Sequence, residues 1–122
     1  MHKICIIDYG VGNLNSIKTT LKDIGYNSLI TRNKSHIKKS DLIIIPGVGK
    51  YDNAMKQFKK YDLYNLLKKI YKTKHIFGIC LGMQILSTIG YEDKYTKGLN
   101  FLPGKVIKSK NYNIGWDKIF TC

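Results

Sequence analysis

The residue with the most chemistry in this chain is Cys80, set in the pentapeptide Gly78-Ile-Cys80-Leu-Gly82. An apolar run, "HIF", precedes it, and a helical pattern, "LGMQIL", follows it. This is the pattern of a nucleophile elbow, G-x-S-x-G, with sulfur in place of oxygen. In such an elbow the nucleophile sits on a strained turn between a strand and a helix. Glycines two positions away on either side remove side chains that would collide there. The helix N-terminus behind the turn favours the thiolate. The N–H of Leu81 then points to where a tetrahedral oxyanion would form. The same five residues also fit a buried structural cysteine that follows a strand.

Two further glycine segments follow apolar runs. In "IPGVGKYDNAM" the successive N–H groups near Val48 and Gly49 are candidates for a second oxyanion donor, although an ordinary glycine-rich turn reads the same way. In "DYGVGNLNS" the pair Gly10-x-Gly12 invites comparison with a dinucleotide-binding loop. That comparison fails in detail, because Asn15 holds the third glycine position and the next strand ends in Thr31-Arg32, with no carboxylate for a ribose. The segment reads instead as a tight turn with Asn13 as helix N-cap, leaving Asn13 and Asn15 free to make contacts at a surface.

The elements that must hold these loops alternate between strand and helix patterns. "KICIID" is a first strand. A helix follows, with Leu14, Ile17, Leu21 and Ile24 at helical spacing and Gly25 as its stop. "YNSLIT" is a second strand, "SHIKK" a short polar connection, and "DLIIIP" a third strand, apolar throughout and so buried on both faces. One or two helices fill residues 51–72. "HIFGIC" is the fourth strand and "LGMQILSTIG" a helix. "GLNFLPGKVIKS" and "NIGWDKIF" read as two further strands around a loop. Such alternation predicts an α/β fold, an open and mainly parallel sheet flanked by helices, in a single domain over residues 1–122. Ligands of such sheets bind at the carboxyl ends of the strands, so all three glycine segments should open on one edge.

Composition narrows the function classes. The formal net charge is +13, yet Arg32 is the only arginine and the lysines are spread along the whole chain. Bidentate readout of phosphate and guanine favours arginine, so no nucleic-acid partner is expected. No apolar run is long enough to span a membrane, and the N-terminus lacks a signal-peptide pattern. A cytoplasmic protein is the simplest expectation. Cys5, Cys80 and Cys122 are odd in number and lack C-x-x-C spacing, which excludes a disulfide framework or zinc ribbon. Cys5 reads as a small buried hydrophobe. No metal site and no cofactor are expected.

Five segments in this order, "IIDYGVGNLNSI", "LIIIPGVGKYDNAM", "GICLGMQIL", "GLNFLPGKV" and "NIGWDKI", resemble the class I, triad-type glutamine amidotransferase family. Within it they are most similar to the ammonia-supplying subunits of imidazole glycerol phosphate synthase. The resemblance implies the family fold and a glutaminase. Cys80 would be the nucleophile. The backbones of Leu81, Val48 and Gly49 would hold the oxyanion, and Gly47, Gly82 and Gln84 would seat glutamine. The partner implied is a (β/α)8-barrel synthase (cyclase) subunit in a heterodimer, with Asn13, Asn15 and Trp116 as interface candidates.

The family's triad adds a histidine and a glutamate after the nucleophile, whereas His2, His36 and His75 all precede Cys80. The resemblance therefore implies that the C-terminal part of the domain is missing, and that this chain alone is inactive and poorly soluble. Two alternatives stay open. One is a paralogue that supplies ammonia for surface-polysaccharide sugar modification. The other is a non-catalytic docking remnant.

Overall fold

A computed structural model of the chain describes residues 2–110 and 115–120. Its first layer is a parallel sheet of β1 (Ile4–Ile7), β2 (Ser28–Thr31), β3 (Leu42–Ile45) and β4 (His75–Gly78), in the order β2-β1-β3-β4. Every pairing in this sheet is parallel, with Ile4 opposite Ser28 and Leu42, and Leu42 opposite His75. The carboxyl ends of β1, β3 and β4 therefore lie on one edge, as the sequence predicts.

The short apolar strands are buried on both faces because alternate residues point to opposite sides. Ile4, Ile6 and Ile44 face α1 (Leu14–Asp23), meeting Leu14, Ile17 and Leu21. Cys5, Ile7, Ile43 and Ile45 face the larger core, formed with α2 (Lys34–Lys39), α3 (Tyr51–Lys60) and α4 (Leu63–Ile70). Asn13 caps α1, its side chain accepting from the Ser16 N–H at 3.3 Å. Gly25, at φ +89°, ends it with the left-handed turn that glycine adopts freely.

The α1 side of the sheet is thinly covered. The face of β4 turned that way leaves Phe77 57% exposed. β4 is also an edge strand, with no further strand beside it among the described residues.

The structure differs from the sequence expectations in three places. The segment "SHIKK" lies within helix α2, because Asn33 caps it twice, accepting from the N–H groups of Ser35 and His36, and Ile37 is fully buried. The helix expected over "LGMQILSTIG" is only one turn long, α5 (Leu81–Gln84). Its second half is β5 (Ser87–Tyr91). Thr88, Ile89 and Gly90 are poor helix formers, and β5 finds partners that stabilise it as a strand. It is the centre of a second, three-stranded sheet, antiparallel to β6 (Tyr95–Lys97) and parallel to β7 (Leu102–Ile107). β7 is the strand expected from "GLNFLPGKVIKS". The strand expected over "NIGWDKIF" does not form in residues 115–120, and Asn113 and Ile114 lie outside the described residues.

Tyr51, at the start of α3, joins the two sheets. Its hydroxyl lies 2.9 Å from Ser87 Oγ, and its ring lies against Gly90, where an added Cβ would come within 2.5 Å of it.

Candidate active site

Cys80 is the residue between β4 and α5, and its backbone has φ 53° and ψ −116°. That conformation is sparsely populated for any residue with a side chain and costs about 1–3 kcal/mol, which surrounding contacts must offset. The contacts are specific. The Ile79 N–H donates to the Ile45 carbonyl at 2.9 Å, and the Gly82 N–H to the Ile79 carbonyl at 2.9 Å. The N–H groups of Met83 and Gln84 both donate to the Cys80 carbonyl, at 2.9 and 3.1 Å. The turn is thus held from β3 on one side and from α5 on the other.

The flanking glycines are required. A Cβ on Gly78 would lie 2.5 Å from Met83 Cα, and one on Gly82 would overlap the Ile45 carbonyl. The thiol that this turn presents is free and exposed. Cys5 is the opposite case. It is fully buried, and burial pushes its thiol above the ordinary value, as suits an inert core residue.

The two other glycine segments arrive at the same place. Gly47 touches the elbow so closely that a Cβ there would lie 2.9 Å from both the Gly82 nitrogen and Leu81 Cβ. Gly12 approaches from β1, and a Cβ on it would lie 3.1 Å from Pro46 Cβ and 3.3 Å from the Gly47 nitrogen. The three loops named in the sequence therefore converge on Pro46 and Gly47.

Each candidate residue has a definite place. Leu81, Gly82 and Gly47 are buried in the floor, and Gln84 is half-buried at the end of α5. Val48 is 60% exposed, and Gly49 turns at φ +100° into open space. Asn13 and Asn15 stand exposed at the start of α1, on the same edge of the sheet. Trp116 is fully exposed, and the structure does not bring it to the elbow.

No histidine joins Cys80. His2 and His75 lie at the amino ends of β1 and β4, the far edge of the sheet. His36 is on α2, 3.5 Å from Thr31 of β2, and β2 is separated from β4 by two strands. The dinucleotide reading of the first loop finds no support either. Where a ribose-binding acid would stand, Arg32 pairs with Asp8 at 2.6 Å and lies over the Tyr61 ring at 4.3 Å.

Tyr9 and Glu92 also hold the Pro46 loop, although no sequence motif singles them out. Tyr9 is fully buried beneath the Pro46 loop, and its hydroxyl donates to the Pro46 carbonyl at 2.5 Å. Burial, and then the nearby Cys80, push its ionisation well above the ordinary tyrosine range, so the hydroxyl stays a donor. Glu92 accepts from the Tyr51 N–H at 3.2 Å, at the other end of the same loop. A tyrosine directly before the first glycine turn was the available signal for Tyr9. Nothing local marks Glu92.

Comparison with known proteins shows the family. Residues 5–119 match the family model described as glutamine amidotransferase class-I. The chain belongs to the class-I glutamine amidotransferase family. Among curated amidotransferases it is 40% identical, over 98% of its length, to "Imidazole glycerol phosphate synthase subunit HisH" of Lactococcus lactis, covering 61% of that protein. The protein of the same name from Bacillus cereus (strain B4264) is 43% identical over 95% of the chain, with 58% of the relative covered. Subunit HisH 1 of Campylobacter jejuni (strain 81-176) is 37% identical over 95% of the chain, with 62% covered. The chain thus spans about three fifths of the length of these relatives. A solved structure titled "Crystal structure of glutamine amidotransferase" superimposes with a TM-score of 0.61 at 23% identity, over 70% of this chain and 46% of that one. That likeness supports the amidotransferase fold.

Proposed function

We propose that the chain is the glutaminase part of an imidazole glycerol phosphate synthase. The observation that carries this reading is the backbone of Cys80, held in a strained turn between two glycines that have no room for side chains. It lies at the carboxyl edge of a parallel sheet in a member of the amidotransferase family.

On this reading the Cys80 thiolate attacks the side-chain carboxamide carbon of glutamine. The negative charge passes to the carboxamide oxygen, which the N–H of Leu81 and the Val48–Gly49 backbone stabilise. Gly47, Gly82 and Gln84 seat the substrate. Collapse of the adduct breaks the C–N bond. The nitrogen leaves as ammonia once protonated, and a thioester remains on Cys80. Water then hydrolyses the thioester to glutamate and restores the thiol.

The ammonia passes to a (β/α)8-barrel synthase docked on the edge that carries Asn13 and Asn15, with Trp116 in the same interface. The synthase would serve histidine biosynthesis, and the names of the relatives, subunit HisH of imidazole glycerol phosphate synthase, support that reading. Residues 1–122 belong to a single amidotransferase domain, which works in the cytoplasm.

Both halves of the reaction need a proton acceptor and donor, normally a histidine. The three histidines of the chain lie away from Cys80, so the 122-residue chain turns glutamine over negligibly by itself.

The site is tested without turnover. The chloromethyl ketone in which CH2Cl replaces the amide NH2 of glutamine should alkylate Cys80 at pH 9, where free cysteine is largely thiolate. Mass spectrometry should find one adduct, on Cys80, suppressed by glutamine and unaffected by asparagine. Equal labelling of several nucleophiles, with no protection by glutamine, would refute the assignment.

A further inference from the structure

We propose that Tyr9 is a positioning residue, whose hydroxyl fixes the Pro46–Gly47 peptide against the elbow and thereby the Val48–Gly49 backbone that follows it. This goes beyond the glutaminase reading in assigning a role to Tyr9, and it rests on that reading only for the chemistry the loop serves.

Tyr9 is anchored independently of the loop. Its ring packs on Phe58 of α3 with centroids 4.5 Å apart and planes tilted by 59°, and it follows β1 in the centre of the sheet. From that anchor its hydroxyl donates to the Pro46 carbonyl at 2.5 Å. A peptide group is planar, so fixing the carbonyl of Pro46 also fixes the direction of the Gly47 N–H. Gly47 is pressed between the same hydroxyl, where an added Cβ would lie 2.5 Å away, and the elbow on its other side.

The far end of the loop is held as well. The Tyr51 N–H donates to Glu92 at 3.2 Å, and Lys50 pairs with Asp93 at 2.8 Å. Val48 and Gly49 are therefore a short exposed span between two tethered ends. Only the Tyr9 tether is buried and lies next to the elbow. Burial and the neighbouring Cys80 both oppose ionisation of Tyr9, which keeps its proton available to Pro46 when Cys80 is a thiolate. Loss of the hydroxyl would leave the buried Pro46 carbonyl without this donor and free the peptide to rotate.

The test is Tyr9→Phe in the 122-residue chain, which keeps the ring on Phe58 and removes one oxygen. In the parent, 15N order parameters of Gly47, Val48 and Gly49 should be near about 0.85, the value of rigid backbone, and in Tyr9→Phe they should fall toward about 0.6. Those of Ile43 to Ile45 in β3 should not change.

Two alkylation rates at Cys80 give the chemical readout. The glutamine chloromethyl ketone passes through an oxyanion, and iodoacetamide does not. Tyr9→Phe should slow the ketone about tenfold, the effect of one lost hydrogen bond, and leave iodoacetamide within about twofold. Ile37→Val, a core truncation on α2 that leaves Tyr9 and Phe58 intact, should lower the melting temperature without changing the ratio of the two rates. That separates positioning from mere packing. Unchanged loop order parameters in Tyr9→Phe, or a loosened loop with an unchanged ratio, would overturn the proposal. Failure of the parent chain to prefer the glutamine ketone would count against the glutaminase reading alone, and the order parameters would still decide whether Tyr9 holds the loop.

Discussion

Gly82 packs directly on the carbonyl oxygen of Ile45, in the space where any larger residue would place its Cβ. The contact joins α5 to β3 and sets how deeply the elbow sits against the sheet. In an ordinary helix Gly→Ala is stabilising by about 1 kcal/mol. Here the added carbon meets backbone that must move. Gly82→Ala should therefore destabilise the chain by about 2 kcal/mol or more, the scale of overpacking in a tight interior. Urea denaturation decides the sign, and a stabilised variant would mean that the elbow is looser than this contact implies.

The turn at Cys80 should be relieved by glycine. At φ 53° and ψ −116° a side chain is strained, and Cys80→Gly removes the strain, at a smaller entropic cost in the unfolded chain. Cys80→Gly should therefore melt higher than Cys80→Ala, by about 1 kcal/mol in stability. Equal melting of the two would show that the turn stores no strain.

Glutamine turnover should be absent in the isolated chain. With His2 and His75 at the opposite edge of the sheet and His36 beside β2, Cys80 has no imidazole to exchange protons with. Ammonia release should match that of Cys80→Ala within error. Release that exceeds it would reveal a proton carrier other than histidine.

Phe77 should control self-association. It is exposed on the edge strand β4, and an uncovered apolar edge invites pairing with another chain. Phe77→Lys should reduce concentration-dependent light scattering and raise the soluble yield, with stability changed by no more than about 0.5 kcal/mol. Scattering that persists unchanged would place the sticky surface elsewhere.

Stability should fall at both ends of the pH range, for opposite reasons. Asp62, through the hydrogen bond from Lys34, Asp93, through that from Lys50, and Asp41, through the Lys3 N–H, all lie below the ordinary carboxylate value. A lowered folded value means stability that is present above about pH 4 and lost as the pH falls through the folded values. Tyr9 is raised, chiefly by burial, so its share is present below about pH 10 and is lost as the pH rises beyond that. Melting curves from pH 2 to 5 should show the first loss, reduced in Asp62→Asn. Alkaline melts should show the second, weakened in Tyr9→Phe.

The parallel sheet was legible because its strands are short, apolar and followed by glycine turns, and the elbow because Gly78 and Gly82 mark it from both sides. The second sheet was not. "ILSTIG" carries apolar residues at both helical and strand spacings, and only its partners in β6 and β7 decide between them. Helix α2 is too short and too polar to show a periodic stripe. Tyr9 and Glu92 act across 37 and 41 residues of chain, on Pro46 and Tyr51, and no local pattern encodes such a contact.

Tyr51 also has a consequence for how β5 finds its register. Its ring fills the place beside Gly90, and its hydroxyl that beside Gly98, so each glycine is a notch cut to one tyrosine. Slip β5 by one residue and its faces invert; slip it by two and Thr88 or Glu92 brings a side chain into the notch. Misaligned sheets are thus rejected by exclusion, and a buried core tyrosine at the start of α3 doubles as the gauge against which the second sheet is proofread during folding.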